Sequence, residues 1–460
     1  MKRIFQVLAL AAAVTGVSIG NVSNAQTVSV GDMSSYTPPS EAYPSIDASV
    51  GGYVGDLATP AGHHERVQRL APRVASHGGY ETCGGCNSVS CEGGCYSSGQ
   101  SRRGKIGAAL NDPCASGWMN AELLLWFPQA LQSPDLVATG PNAAGAIQGG
   151  PGYQALFGGR IEQGMQPGFR ADVGRYFSDG QFGVGARIWF LQGADTAFSA
   201  QSDGSPGSPI LSRPLFNTSV GTEGGFLVGG PLGPLTGEIN ISSQLDMVAS
   251  ELYGKALFIQ GEDYRMDLIG GYSFFNIEND LLITQSSTQL PPSPAARRVV
   301  LDSFNTENNF HGGQIGFQTE LNRGRFSFLS LTKVHLGNMH QRVDVFGTSR
   351  SDFVGVPASL QTFDRGLLVG DDQQSQSRDV FAFAPEANLK IGYRMRNHVN
   401  FTVGYSFIYW NRVALAGDQI DRNVDQTAVL TNNPSTSPAR KFNDRGFFVQ
   451  GIDLGISVDY

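Results

Sequence analysis

From Trp118 to its last residue the chain alternates apolar residues with small or charged ones in ten separate segments, and the connections between those segments alternate as well. The segments are 118–127, 168–177, 181–192, 245–259, 264–278, 309–321, 325–337, 379–393, 399–410 and 447–460. A period of two puts successive side chains on opposite faces of a strand. Each segment has at least the roughly 9 to 11 residues that a tilted strand needs to cross a bilayer. Short connections at 178–180, 260–263, 322–324 and 394–398 take turns with long polar ones at 128–167, 193–244, 279–308, 338–378 and 411–446. Strands that run up and down, with tight turns at one end and long loops at the other, are the layout of an outer-membrane barrel whose chain ends lie on the tight-turn, periplasmic side. A soluble sandwich gives loops no reason to sort by length. The expected fold is therefore all-β: a transmembrane antiparallel up-and-down β-barrel of about ten strands, or twelve if a long connection holds another hairpin.

One face of each segment is apolar. On 181–192 it carries Phe182, Val184, Ala186, Ile188 and Phe190, and on 399–410 Val399, Phe401, Val403, Tyr405, Phe407 and Tyr409. Arg175, beside a short turn, is the charge on this face. A charge facing lipid at mid-membrane costs about 2 to 4 kcal/mol, which is why the face is otherwise free of them. Beside the short turns stand Phe177, Phe182, Phe258, Phe326, Tyr393 and Tyr460, the expected aromatic girdle at the lipid interface.

The opposite face is small and polar, with Gly183, Gly185, Gly254, Gly316, Gly404, Gly451 and Gly455 on or near it. It also holds Glu122, Asp172, Glu251, Asp267, Glu320, Glu386 and Asp453 against Arg170, Arg187, Lys255, Arg265, Lys333 and Lys390. Acids and bases are near balance, and charges in a narrow lumen must pair, so these residues are expected to line the interior as a salt-bridge network that fills the barrel.

The first 117 residues read differently. Lys2 and Arg3, an apolar run over 4–14, and Ser23-Asn24-Ala25 before Gln26 have the parts of a secretory signal peptide, 1–25. Residues 26–117 are rich in Gly, Pro and Ser without sustained periodicity, an extension with little core that is either flexible or stapled by cysteines. Cys83, Cys86, Cys91, Cys95 and Cys114 are disulfide candidates in an exported chain. Their spacing, C-x2-C-x4-C-x3-C, matches no zinc pattern closely, even with His63, His64 and His77 upstream, so no metal or cofactor is expected. The odd fifth cysteine raises cross-linking to an envelope neighbour. A formal charge of −8 without acidic or basic blocks suggests no nucleic-acid partner. Charged residues are 16% of the chain, well below the usual ~25%.

The wording of "GWMNAELLLWF", "ELYGKALFIQGEDYRMDLIGGYSFFNIENDL", "FNTENNFHGGQIGFQTELNRGRFSFLSLTKVHLGN" and "SRDVFAFAPEANLKIGYRMRNHVNFTVGYSFIYWNRVALAGDQID" resembles the putative beta-barrel porin-7 family of bacterial outer-membrane proteins, from about Trp118 to the C-terminus. The resemblance implies a β-barrel in an outer membrane and carries no catalytic motif with it. The leading expectation is a non-enzymatic barrel that passes small solutes or serves the structure of the envelope. Its partners would be outer-membrane lipid and, through the closing strand 447–460 with its terminal aromatic, the barrel-assembly machinery; the oligomeric state stays open. A second reading is a surface protein that binds through its long loops and links to the envelope through its cysteines. A third is a hydrolase at the barrel rim, for which His311, His335, His340, Asp371 and Asp372 are the candidates.

Overall fold

The computed structural model describes residues 117–459 apart from 143–145, 178–179, 194, 232–234, 292–294, 397 and 432. The signal segment, the five cysteines and Tyr460 lie outside the described residues. In chain order the strands are β1 (Gly117–Pro128), β2 (Leu131–Thr139), β3 (Gln154–Ile161), β4 (Gln166–Phe177), β5 (Phe182–Leu191), β6 (Thr196–Ser202), β7 (Leu211–Asn217), β8 (Thr222–Gly229), β9 (Leu235–Gln260), β10 (Tyr264–Gln289), β11 (Ala296–Arg323), β12 (Phe326–Phe353), β13 (Val356–Phe363), β14 (Gln376–Arg396), β15 (Val399–Val413), β16 (Asn423–Val424) and β17 (Arg445–Asp459). A 3-10 turn (Ala416–Gln419) and one short helix, α1 (Gln426–Thr431), follow β15.

Ten strands close into a ring. Each of β1, β4, β5, β9, β10, β11, β12, β14, β15 and β17 pairs antiparallel with the next, and β17 returns to β1 in unbroken register from Trp118↔Asp459 to Pro128↔Val449. The short turns β4–β5, β9–β10, β11–β12 and β14–β15 lie at one end with the start of β1 and the end of β17. At β11–β12 the chain reverses through two residues, and Gly324 takes a φ of +62° that a side chain would resist. All ten alternating segments fall on ring strands. β6 and β13 add to the same sheet along β9 and β12 without entering the ring.

The long connections differ from the sequence expectation. Much of 193–244, 279–308 and 338–378 is strand, because β9, β10, β11 and β12 run for 26 to 28 residues, far beyond a membrane crossing. The reason is a reversal of polarity along one continuous strand. On β9 the outward row near the turn is Val248, Ser250, Leu252, Gly254, Ala256 and Phe258, whereas further from the turn it becomes Glu238, Asn240, Ser242, Gln244 and Asp246. The inward row changes the opposite way, from Glu251, Tyr253 and Lys255 to Ile239, Ile241 and Leu245. Eleven residues of tilted strand give an apolar belt of about 25 Å, the height of a hydrocarbon core. Beyond it the wall is that of a water-exposed domain with its core inside. Gly254 therefore faces outward, in the lipid row, a correction to its expected place on the polar face.

That upper core brings together Leu136, Leu215, Ile241, Ile283, Phe304 and Val343 with residues from 367–369 and 414–429. A second sheet, in which β7 pairs with β2, β8 and β16 and β2 pairs with β3, supplies much of it. Buried polar side chains hold the connecting segments in place. Asn308 exchanges hydrogen bonds with the backbone of Ala414 at 2.8 and 2.9 Å, and Asn279 Oδ1 accepts from the Ala416 amide at 2.9 Å. Asp302 Oδ1 accepts from the amides of Leu368 and Val369 at 2.9 and 3.1 Å, and its Oδ2 meets Arg213 at 2.7 Å, with both side chains buried.

Replacing Asp302 by Ala would strand the Arg213 charge and two backbone amides in an apolar core, at a cost of about 3–5 kcal/mol. The expected outcome is local: faster hydrogen exchange over 211–217 and 364–371, with the heat-modifiable migration of the ring on gels retained. The outward row also carries a pH signature above the belt. Loss of hydration around the Asp280 carboxyl, with repulsion from Glu278 and Asp246, pushes it from 3.8 up to about 6. A carboxyl raised in the folded state destabilises the fold once ionised, so its cost is absent below about 4, grows through about 6 and is full above. Asp280→Asn is therefore expected to raise thermal stability at pH 7 and to lose that advantage by pH 4, which melting curves of the two proteins across this range would show.

Candidate functional site: the filled lumen

Inside the belt the inward side chains form three layers. Nearest the turns, Trp118, Tyr176, Tyr253, Ile269 and Leu331 pack together, and Lys255 Nζ lies 4.1 Å from the centre of the Trp118 ring. Beside them Arg265 pairs with Asp267 at 2.8 Å, reaches the Gly180 carbonyl at 2.6 Å and stacks on Tyr176. Glu320, directly across from Arg265 on β11, is half-buried and accepts from Asn322 at 3.0 Å.

The middle layer holds the charges. Arg170 on β4 meets Glu122 on β1 at 2.5 Å and Asp453 on β17 at 2.8 Å, so it spans the seam where the ring closes. Lys390 adds to Glu122, and Asn388 and Ser406 donate to Asp453 at 2.7 and 2.6 Å. Across the lumen Arg187 bridges Asp172 at 2.8 Å and Glu386 at 3.5 Å, while Lys333 contacts Glu251 and sits 3.2 Å from Glu386. The indole of Trp118 and the hydroxyl of Tyr253 both donate to Asp172 at 2.7 Å, and the indole of Trp126 donates to Asp453 at 2.7 Å. The layer thus brings together Glu122, Arg170, Asp172, Arg187, Glu251, Lys333, Glu386, Lys390 and Asp453. Lys255, Arg265, Asp267 and Glu320 sit below it.

Glycine makes room for this packing. A Cβ on Gly404 would stand 2.6 Å from Lys390 Cγ, and one on Gly455 the same distance from Glu122 Cγ. The long charged side chains lie across their neighbouring strands, over positions where any other residue would collide. Glycine is 59 of 460 residues, almost twice the usual ~7%, and part of that excess has this use.

The third layer, on the side away from the turns, is an aromatic septum. Trp126 and Trp189 have ring centres 5.2 Å apart, Trp189 and Phe275 6.2 Å, Phe275 and Phe310 5.5 Å, Phe275 and Trp410 5.6 Å, and Trp410 and Phe447 6.3 Å. Leu124, Met247, Ile277, Met339, Ile408 and others fill in around these rings. Sequence reasoning missed the septum. Its signal is the inward register itself: counting in twos from Glu122 reaches Leu124 and Trp126, and from Arg187 reaches Trp189 and Leu191. Below the septum a crevice lined by Arg187, Glu251, Tyr253, Ile269, Gln314, Leu331 and Lys333 is too narrow for a water molecule.

Of the expected interface aromatics, the five among the described residues lie on the outward face beside the turns. Phe182, Phe258 and Phe326 are 56%, 60% and 60% exposed, Phe177 stands across from Phe182, and Phe326 meets the ring of Tyr393 at 5.4 Å. A second girdle, not foreseen, marks the other edge of the belt in the pairs Phe169–Phe190, Phe274–His311, Phe383–Tyr409 and Phe407–Phe448.

The hydrolase candidates are scattered. His311 points outward, its Nδ1 2.6 Å from the Tyr272 hydroxyl in that second girdle. His340 and Asp379 face each other at 3.0 Å on the exposed outer wall. Asp371 and Asp372 tie connecting segments through Arg365 at 2.9 Å and Arg440 at 3.4 Å. His335 does stand between a hydroxyl and a carboxylate, with Nδ1 2.7 Å from Ser273 Oγ and Nε2 3.2 Å from Glu386. Nucleophilic catalysis by such a row needs a path for substrate. Ser273 and His335 are both fully buried beneath Phe275, whose ring meets His335 edge-on at 4.9 Å.

Residues 118–460 match the family model described as Putative beta barrel porin-7 (BBP7). The chain belongs to this family. This protein is accordingly an outer-membrane β-barrel, in keeping with its closed ring and apolar belt. No curated protein is similar enough to be matched to it. Among solved structures it is similar to the outer membrane protease OmpT from Escherichia coli, at 11% identity over 76% of this chain and 98% of that one with a TM-score of 0.35. It is also similar to a Pseudomonas aeruginosa FadL homologue (7% identity, 75% and 90% covered, TM-score 0.19) and to an anion-selective porin from Comamonas acidovorans (11%, 75% and 100%, TM-score 0.11). Likenesses this loose carry no argument about what this protein does.

Arg170→Ala would leave Glu122 and Asp453 buried with one fewer counter-charge at the seam. The expected cost is about 3–5 kcal/mol, read as a lower temperature of heat modification, whereas replacing Arg170 by Lys should recover part of the loss.

Proposed function

We propose that this protein is a sealed barrel that holds a folded β-domain at the bacterial surface, a structural and display role rather than passage of solutes. The observation that carries the reading is the septum from Trp126 to Phe447, stacked on a paired charge layer with Phe275 at its centre. A porin passes solutes through a lumen that its own side chains leave open. Here indoles, phenyl rings and ion pairs meet across the middle, and the upper core stands beyond them. The polar upper wall suits an aqueous exterior.

The same reading gives the chain its orientation. The signal segment 1–25 directs export, the turns face the periplasm with the start of β1 and the end of β17, and the upper domain faces outward. The closing strand β17 addresses the barrel-assembly machinery, and outer-membrane lipid surrounds the belt. Catalysis is no part of the proposal, because the row Ser273–His335–Glu386 lies beneath the septum.

Planar-bilayer recording tests the central claim. The refolded protein is expected to give no reproducible channel events, while a variant with both Phe275→Ala and Trp410→Ala should flicker open. Steady unitary conductance from the unaltered protein would return the reading to a porin for small solutes.

A further inference from the structure

At the crest of the upper domain, on its outward side, lies a cavity of about 750 Å3, within the range of roughly 300–1,000 Å3 usual for small-ligand sites. Its floor is the row Gln201, Glu238 and Ser286, contributed by three adjacent strands in register, with Thr236 and Thr288 one row above. Its wall is the loop 203–209, which leaves β6 and folds back over the tip of β9. The loop is built to stay there. Ser205 donates to Asp203 Oδ1 from its amide at 3.0 Å and its hydroxyl at 2.7 Å, and Ser208 Oγ donates to the Ser205 carbonyl at 2.8 Å. At Gly204, φ +71°, a Cβ would come within 2.9 Å of the Leu235 backbone, so only glycine lets the loop lie this close to β9. Pro206 and Pro209 stiffen the remainder.

The lining decides the chemistry. Among the described residues it consists of hydroxyls, one amide, two carboxylates, proline and glycine, with no basic, aromatic or large aliphatic side chain. Asp203 and Glu238 repel anions, and nothing in the wall attracts an apolar body. Glu238, in the lining, is held by Asn240, which donates to its Oε1 at 2.6 Å. Such a surface asks for a ligand dense in hydrogen-bond donors that is neutral or positive. We infer that this cavity binds a short saccharide that is uncharged or bears free amines, with Glu238 and Asp203 accepting from its hydroxyls or ammonium groups. The inference rests on the proposed outward orientation only for where the sugar would come from. The binding chemistry stands apart from whether the lumen is sealed.

Calorimetric titration of the full chain in detergent micelles tests it with three probes: cellotriose, a glucosamine trimer and a galacturonate trimer. Binding of either of the first two, with galacturonate weaker by about tenfold or more, supports the assignment. Binding of the amine trimer alone would mark the carboxylates as charge partners, and equal binding of cellotriose would mark them as hydrogen-bond acceptors; both support it. Glu238→Ala, at an exposed position that leaves the fold alone, should weaken the interaction by about tenfold, whereas Ser303→Ala on β11, outside the cavity, should not. No binding of either trimer, binding of galacturonate as tight as theirs, or an unchanged affinity after Glu238→Ala would each overturn the proposal. Because micelles hold the protein without a transmembrane gradient, such a failure stays separate from any conductance result.

Discussion

Everything in this molecule depends on a backbone that cannot leave an amide unpaired in hydrocarbon. An unsatisfied N–H or C=O there costs several kcal/mol, so a sheet in a membrane must close on itself. The seam between β1 and β17 is where that condition is met, and it joins residues more than 300 positions apart in sequence. Arg170 spans the same seam from inside, clamping Glu122 of β1 and Asp453 of β17 in one guanidinium. Backbone closure and side-chain closure thus coincide at one place, which couples the interior charge layer to the integrity of the ring.

Closure with ten strands also fixes the bore. Side chains from opposite walls of so small a ring meet, and what they are made of decides whether the middle is wet or solid. Here three large inward residues each find a glycine across the strand boundary: Lys390 over Gly404, Glu122 over Gly455, Trp126 against Gly451. Size complementarity of this kind packs charges tightly enough to satisfy one another. In the low-dielectric middle of a membrane, that mutual satisfaction is the condition for burying them at all.

The ring was legible because lipid reads one face of every strand. An outward row such as Val399, Phe401, Val403, Tyr405, Phe407 and Tyr409 admits almost no exception, so its period of two survives in sequence. The upper halves of β9 to β12 resemble polar loops in sequence for an equally physical reason. Above the belt the outward row turns polar, and a search for apolar outward faces stops at Asp246, although Ile239 and Ile241 continue the alternation on the other side. The septum escaped notice because in "LLLWF", 123–127, both faces are apolar and the alternation vanishes. Lipid lies outside Leu123 and Leu125, aromatic packing inside Leu124 and Trp126, and composition alone does not tell the two environments apart. Histidine is a different case: residue type suggests chemistry, while burial depends on the fold. His335 has a hydroxyl and a carboxylate beside it and is fully buried beneath Phe275, while His311 faces the other way, among the rings at the lipid boundary.

The reversal of polarity along β9 to β12 has a functional consequence beyond topology. A wall that simply ended at the membrane would leave its loops to order themselves, each at its own entropic cost. Strands that continue unbroken from the belt into the upper domain carry their register with them, so the surface of that domain inherits the rigidity of the barrel. The row Gln201–Glu238–Ser286 is centred on β9, the strand that also sets Glu251 across from Arg187 in the membrane. With the lumen occupied by its own side chains, this preorganised crest is where the fold has invested its ordered polar surface, and recognition at such a surface needs little further ordering on binding.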